Sequence, residues 1–443
     1  MNFDQVAALV VLVAVVGVLI HGKVRSDVAA LSAAAALLLL GVVRPSEVQG
    51  AFASPAILAL ASLFVIAYAI ELSGLLGLLI RQATRMCARL GERGLWLVIG
   101  LCGSVGGFLN NTPIVVLAAP VIKDVAISLG LSPKRFLMPL SYVTVMGGLL
   151  TLIGTSTNLL VNDMARNAGQ PAFSLFEITP VGLVVALAGA LYLYAFGTRL
   201  LPKDEEVKVP SLAAPIRLGE QRGHEGGSGD AVLGDVALFG AADRPLQPRK
   251  AVLSFGVFVA VVAAAAAGAA PIAAAAFAGA VALILLRVVT PEEAYAGLRP
   301  DVLLLIAGMV VVGMSIEITG LAAAGTELLI GFIRPFGPLA ALVILYGVTL
   351  VATEFLSNAA VAVLITPVAV ALAESLGVDP RPFLVGVMMA ASAAFATPFG
   401  YQTNVLVFQM GGYSYMDFVR VGAPLNLVTW IAAMIAIPVF FPF

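Results

Sequence analysis

Charged residues are scarce in this chain, and their scarcity sets its class. Only 11% of the 443 residues are charged, whereas 61% are hydrophobic and the mean hydropathy is +1.05. A soluble globular chain carries about 25% charged residues. A chain of this length could not hide so much apolar surface from water, so its solvent must be a lipid bilayer. The net charge is −1, so the chain has no excess of basic residues such as nucleic-acid-binding proteins carry, and no nucleic-acid partner is predicted.

Cysteine and histidine are also rare. Cys87 and Cys102 form no disulfide or metal-binding pattern, and His21 and His224 are too few for a histidine-based metal site. The sequence contains no phosphate-binding loop, Ser/His/Asp set or redox motif, so an enzyme is not predicted. The N-terminal apolar run at 3–20 lacks the positive leading region of a signal peptide and is interpreted as a retained span.

Long hydrophobic runs fill most of the chain. Two of them, 95–128 and 337–376, are interrupted near the middle by polar residues. Each half is shorter than the roughly 20 residues that a spanning helix needs, so a re-entrant helical hairpin is predicted for each stretch. Ten further runs are predicted to be spans: 3–22, 27–43, 56–75, 134–165, 178–200, 251–268, 271–289, 301–320, 380–410 and 420–441.

An internal duplication at an offset of about 246 residues decides the predicted architecture. Residues 1–200 and 251–443 each contain five predicted spans and one hairpin. An odd number of spans turns the second copy upside down, which gives the inverted repeat common in secondary transporters. The matching segments are 70–75 with 316–321 (IELSGL, IEITGL), 108–111 with 355–358 (FLNN, FLSN), and 154–158 with 400–404 (GTSTN, GYQTN).

The distribution of Lys and Arg predicts the orientation. With the N-terminus outside, twelve basic residues lie at the inner side and four at the outer side, as the positive-inside rule requires. Both termini are therefore predicted outside the cell inner membrane. Residues 201–250, rich in Gly, Ser and Pro, are predicted to be a flexible cytoplasmic linker, with a binding role as the alternative. The inner residues are Lys23, Arg25, Arg81, Arg85, Arg89, Arg93, Lys123, Lys134, Arg135, Arg287, Arg299 and Arg420; the outer ones are Arg44, Arg166, Arg334 and Arg381.

Polar residues at the two hairpin tips are the first candidate site. Asn110, Asn111 and Thr112 lie at the first tip, and Ser357 and Asn358 lie at the second. Unpaired amides in hydrocarbon cost several kcal/mol each, so these side chains need partners. Carbonyl, Asn and Thr oxygens at a tip can coordinate a dehydrated cation, while helix N-termini that begin there favour an anion. The alternative is that they only cap and join helices; their duplication in register favours a site.

Two runs of small and hydroxylated residues are the second candidate element. The first, at 147–158, lies in a stretch too long for one simple helix, and the second, at 397–404, contains Pro398 and Gly400, which break helices. We expect two discontinuous helices whose unwound middles face the hairpin tips; a tightly packed helix interface is the alternative. Glu354, just before the second tip, indicates either proton coupling or a hydrogen bond to the hairpin backbone.

At these residues the chain resembles the divalent-anion:sodium symporter family, within the ion-transporter superfamily that also contains arsenite permeases. The resemblance covers nearly the whole chain outside 201–250. It implies a homodimer that moves its hairpins and broken helices in an elevator-like fashion, with sodium ions bound beside a small anion. The implied first sodium site contains Asn110, Asn111 and Gly154 with Asn158 nearby, the second contains Thr353, Asn358 and Gly400 with Asn404 nearby, and the implied anion contacts are Asn111, Thr112, Asn358, Ala359 and Gln402.

Three departures from the family pattern bear on the substrate. Asn110 replaces the serine of the first tip, Ala359 replaces the threonine of the second, and both loops lack the Pro-Pro-Asn of dicarboxylate carriers. The loops look more like the branch that carries sulfate, although 201–250 is too short for that branch's regulatory domains. We predict sodium-coupled uptake of sulfate or a dicarboxylate. The alternatives are an arsenite- or antimonite-type efflux permease, a proton-coupled anion transporter, and a channel-like sensor without coupled transport.

Overall fold

The computed structural model describes residues 2–21, 24–88, 90–197, 200–201, 245–321, 337–398 and 400–443. Within these ranges the regular secondary structure is entirely helical. Most of the predicted linker lies outside the described residues, as do His224 and, from the charge comparison, Lys23, Arg89 and Arg334.

Helices of the first half begin at local signals that the sequence carries. Ser54 accepts a hydrogen bond from the Ala56 N–H at the start of the fourth helix, which has proline in its first turn. The ten α-helices of this half are α1 Phe3–His21, α2 Ser26–Leu39, α3 Pro45–Phe52, α4 Pro55–Leu72, α5 Leu75–Ala88, α6 Glu92–Gly106, α7 Asn111–Ser128, α8 Lys134–Gly147, α9 Ser156–Asn167 and α10 Thr179–Tyr192, the last continued by a π-helical turn, Leu193–Gly197.

Helices of the second half follow the same order. Thr290 and Ser414 each form a capping box at a helix start. The described α-helices of this half are α11 Pro248–Ala266, α12 Ile272–Leu285, α13 Pro291–Gly297, α14 Pro300–Ile318, α15 Gly337–Thr353, α16 Asn358–Leu376, α17 Arg381–Ala391, α18 Gln402–Gly411 and α19 Tyr415–Phe440.

The prediction of an all-helical polytopic membrane protein is confirmed. Among the described residues, six helical segments are long and apolar enough to cross a membrane, and a seventh if α13 and α14, bent by 58°, count as one span. The sequence predicted ten crossings; of the helices in these runs, α1, α2, α12 and α17 are apolar but shorter. Hydropathy missed α3, α5 and α13 because none has an uninterrupted apolar run of spanning length. The number of crossings stays a prediction.

Two helix pairs occupy the predicted hairpin positions. A turn at 107–110 joins α6 to α7, a turn at 354–357 joins α15 to α16, and the two helices of each pair pack together. The second helices, α7 and α16, have 18 and 19 residues and are long enough to cross a membrane. The sequence analysis predicted that each half of the two interrupted stretches is too short to cross a membrane. The depth at which these helix pairs turn back therefore stays a prediction.

The two predicted discontinuous helices are confirmed. Residues 148–155 separate α8 from α9, and residues 392–401 separate α17 from α18. The second break begins earlier than the Pro398–Gly400 signal, because α17 ends at Ala391. Glycine lets the backbones of α6 and α8 approach each other closely. A Cβ built on Gly147 of α8 would lie 1.9 Å from the carbonyl oxygen of Gly103 in α6.

Contacts between the halves come in matched pairs. Helix α2 packs on α14, and its counterpart α12 packs on α4. In the same way, α9 packs on α16 while α7 packs on α18. Each pair becomes the other when the halves are exchanged at the offset of the sequence duplication. The same exchange relates the two hairpin turns to each other and the two helix breaks to each other.

Candidate functional site

A cavity of about 390 Å³ lies where the two hairpin tips and the two helix breaks meet. Of the twelve predicted site residues, eight line this cavity and four lie outside its lining. The lining residues are Asn110, Thr112, Gly154, Glu354, Asn358, Ala359, Gly400 and Gln402. The other four, Asn111, Asn158, Thr353 and Asn404, are buried, with at most 1% of their surface exposed.

Four helices begin at this cavity. Helices α7 and α16 start at the hairpin tips, and α9 and α18 start at the helix breaks. The caps are polar: the Asn110 side chain accepts from the Thr112 N–H at 3.2 Å, and Ser357 accepts from the Ala360 N–H at 3.3 Å. A helix N-terminus carries about half a positive charge, so four of them together favour a negatively charged occupant.

Asn158 and Asn404 hold the two unwound segments in the same way. The Asn158 amide donates to the carbonyls of Gly148 and Thr151, 10 and 7 residues earlier, at 3.3 and 3.0 Å. The Asn404 amide donates to Ala394 and Thr397 with the same spacings, at 2.9 and 3.3 Å. These bonds replace the helical ones that the breaks remove, so both residues shape the loops beside the cavity.

Acceptor oxygens differ between the two halves. Asn111 Oδ1 and Asn158 Oδ1 are buried and accept no hydrogen bond from any residue that the structure describes. Their counterparts lie against hydroxyl groups: Asn404 Oδ1 accepts from Ser141 Oγ at 2.7 Å, and Asn358 Oδ1 lies 2.8 Å from Thr353 Oγ1, whose one proton it shares with the Ala391 carbonyl at 2.7 Å. A buried oxygen without a donor costs about 1–3 kcal/mol, and a cation would remove that penalty. The first half therefore offers neutral, hard oxygen ligands to a cation.

Two hydrogen bonds join the first hairpin tip to the second loop. Asn111 Nδ2 donates to the Tyr401 hydroxyl at 3.0 Å, and Thr112 Oγ1 donates to Gln402 Oε1 at 3.3 Å. At the second tip Ala359 has no hydroxyl and cannot form the equivalent of the Thr112 bond. The first tip is therefore bonded to the opposite loop at a position where the second tip is not.

Glu354 ties the second tip to its surroundings. Its Oε1 accepts from the Ala396 N–H at 2.8 Å and from Asn426 Nδ2 at 2.7 Å. Its backbone carbonyl accepts from Thr397 Oγ1 at 3.3 Å, as the Gly107 carbonyl accepts from Thr151 Oγ1 in the first half. These carboxylate partners lie in the second helix break and in α19 rather than in the hairpin backbone that the sequence interpretation named, so the role of Glu354 stays a prediction. The second carboxylate oxygen is buried without a partner among the described residues.

Sequence reasoning missed three residues of interest. Arg299 lines the cavity, 3.4 Å from Asp301, and had been counted only as an inner positive charge. Tyr401 lies within the GYQTN motif, but nothing in that motif showed that its hydroxyl reaches Asn111. Asp163 is buried in α9 and accepts from Ser54 Oγ at 2.5 Å; an acid within an apolar stretch was the available signal.

Comparison with known proteins identifies the family. The family model described as "Citrate transporter" matches residues 11–377, and the one described as "Sodium:sulfate symporter transmembrane region" matches residues 325–442. The chain belongs to the citrate transporter family. The predicted relationship to divalent-anion:sodium symporters within the ion-transporter superfamily is thereby confirmed. The chain is a transporter rather than an enzyme, and its membrane embedding follows from the same assignment.

Individual relatives support this family from different organisms. An uncharacterized transporter of Synechocystis is 24% identical, with 92% of each chain covered. The sodium-dependent dicarboxylate transporter SdcS of Staphylococcus saprophyticus is 25% identical over 89% of this chain and 78% of that one. The solved YdaH transporter of Alcanivorax borkumensis has a TM-score of 0.57 at 16% identity and covers 88% of this chain and 86% of that one, which shows a shared fold.

Proposed function

We propose that this transporter couples sodium entry to the uptake of a small divalent anion, sulfate or a dicarboxylate, across the cell inner membrane. The observation that carries the proposal is the convergence of four helix N-termini on one cavity, with the unpartnered amide oxygens of Asn111 and Asn158 on buried residues next to its lining. An anion is favoured by the four helix N-termini. The cavity-lining residues also include Arg299, which is paired with Asp301 at 3.4 Å, and Glu354.

The unpartnered amide oxygens are suited to sodium. The free oxygens of Asn111 and Asn158 are neutral, so a monovalent cation bound there would meet little excess negative charge. Two bound cations beside a dianion would also leave the loaded site close to neutral, which lowers the cost of moving it through a low-dielectric membrane. The similarity to a sodium:sulfate symporter region and to a sodium-dependent dicarboxylate transporter supports the same coupling.

The same proposal includes the architecture. Residues 1–200 and 251–443 form two inverted repeats joined by the cytoplasmic linker 201–250, with both termini outside. The matched contacts between the halves support the repeats. The chain works as a homodimer in which the hairpins and broken helices, together with the cavity, move against a fixed scaffold.

Uptake of labelled sulfate, succinate and citrate into proteoliposomes tests the function. We expect an inward sodium gradient to drive uptake of one of these anions. Replacement of sodium by choline should abolish that uptake, and unchanged uptake in choline would contradict sodium coupling. Uptake driven instead by a proton gradient would favour the proton-coupled alternative, and outward movement of arsenite would favour the efflux permease.

Two substitutions test the location of the site. Asn111→Ala and Asn358→Ala should each abolish sodium-driven uptake because each removes an amide at a hairpin tip, while leaving the amount of folded protein unchanged. The exposed Asn167→Ala at the end of α9 is the matched control and should transport normally. Normal transport by both tip variants would exclude this cavity as the site.

A further inference from the structure

Tyr401 belongs to the second half but reaches into the site of the first half. It is the N-cap residue of α18, with an extended backbone at φ −145° and ψ 143°. Its hydroxyl accepts a hydrogen bond from Asn111 Nδ2 at 3.0 Å and is hydrogen-bonded to Thr155. The position that matches Tyr401 in the first half is Thr155 itself, which is too short to reach across in the reverse direction. The contact is therefore present on one side of the pseudo-symmetric cavity.

In the structure, the hydrogen bond to Tyr401 engages the NH₂ end of the Asn111 amide. The NH₂ group is directed to the phenol oxygen, so the acceptor end, Oδ1, is the atom without a partner among the described residues. Asn158 shows the same division, with its NH₂ group bound to two carbonyls and its Oδ1 without a partner. In the second half, the matching oxygens of Asn358 and Asn404 lie within hydrogen-bonding distance of the Thr353 and Ser141 hydroxyls. A cation or a hydrogen-bond donor would satisfy the two acceptor oxygens that this arrangement leaves without a partner among the described residues of the first half.

We propose that Tyr401 is a positioning residue for the first sodium site, holding the Asn111 amide so that its oxygen stays free for the cation. This inference rests on the proposed sodium coupling. It makes the cation site of the first half depend on a loop of the second half, the same loop whose Gln402 contacts Thr112 at the anion side of the cavity. A change of this loop on anion binding would therefore alter the sodium site directly.

The test is Tyr401→Phe, which removes the hydroxyl and keeps the ring. The full-length variant is reconstituted, and the sodium concentration for half-maximal uptake is measured at saturating anion. We expect it to rise roughly threefold to tenfold, the equivalent of one hydrogen bond. The anion concentration for half-maximal uptake at saturating sodium should not change. As a second readout, sodium chloride should raise the melting temperature of the detergent-solubilised variant less than that of the wild type, with choline chloride as reference.

The matched control is Tyr192→Phe, which removes a phenol that donates to the Val421 carbonyl at 3.1 Å, away from the cavity. It should leave the sodium dependence unchanged. An unchanged sodium dependence in Tyr401→Phe, in a wild type that requires sodium, overturns this inference alone. Equal weakening of sodium and anion dependence with a lower melting temperature in choline shows a merely structural role and overturns it too. A wild type without sodium dependence overturns the proposed function and this inference together.

Discussion

Neighbouring side chains at the cavity form different contacts, and substitutions can separate their roles. Thr112 and Asn111 are neighbours at the first tip, yet Thr112 lines the cavity and bonds to Gln402 while Asn111 is buried beside it. Under the proposed function, we expect Thr112 substitutions to affect mainly the anion and Asn111 substitutions to affect mainly the cation.

Thr112→Val should weaken the anion interaction selectively. The change keeps the shape of the side chain but leaves Gln402 Oε1 without its donor. We expect the anion concentration for half-maximal uptake to rise by about twofold to tenfold, because one hydrogen bond contributes about 0.5–1.5 kcal/mol. Thr366→Val is the control, since Thr366 Oγ1 bonds to its own helix at the Ala362 carbonyl. An equal effect in both variants would contradict a role in anion binding.

Glu354 separates hydrogen bonding from proton coupling. Glu354→Gln keeps an acceptor oxygen for the Ala396 N–H and the Asn426 amide, so we expect it to retain sodium-driven uptake. Glu354→Ala leaves both donors unpaired at about 1–3 kcal/mol each and should lose uptake and melt at a lower temperature. Loss of uptake in Glu354→Gln with an unchanged melting temperature would instead support proton coupling.

At the scale of helices, close packing positions the broken helix α8. Its Gly147 lies against Gly103 of α6, where no Cβ can be accommodated at the present separation. We expect Gly147→Ala to push α6 and α8 apart and to destabilise the protein by about 1–3 kcal/mol or more. The melting temperature of the solubilised protein measures this.

Gly100→Ala in the same helix α6 is the matched control, because nothing lies within 4 Å of its Cβ position. It should leave the melting temperature unchanged or slightly higher, since alanine favours the helix. A similar loss of stability in both variants would show that helix propensity, rather than the contact with α8, is responsible.

For the whole molecule, the decisive question is whether the two halves lie in opposite orientations. Ser128 and Ser375 are matched residues near the ends of α7 and α16, both exposed and each bonded to the carbonyl three residues earlier, at 2.8 and 2.7 Å. In a cysteine-free background, Ser128→Cys should react with an impermeant maleimide only from the inside and Ser375→Cys only from the outside. Reaction of both from the same side would contradict the inverted repeat.

How much the sequence could predict depended on how local each signal was. Composition determined the solvent, because too few charged residues exist to cover the chain in water. The duplication placed both tips and both breaks, because caps such as Asn110 and helix interruptions such as those before Ser156 and Gln402 are set by neighbouring residues. Hydropathy predicted helix lengths and ends less well, because it does not detect amphipathic helices such as α5.

Only the tertiary structure decided which polar groups meet. Asn111 and Tyr401 are 290 residues apart, as are Thr112 and Gln402. No local pattern encodes such pairs, because they follow from how α7 packs against α18. The same packing leaves oxygens free in the first half and partners them in the second, an asymmetry invisible in two nearly matching motifs. The sequence by itself determined a duplicated membrane transporter; the packing of its halves decided which polar groups surround the cavity.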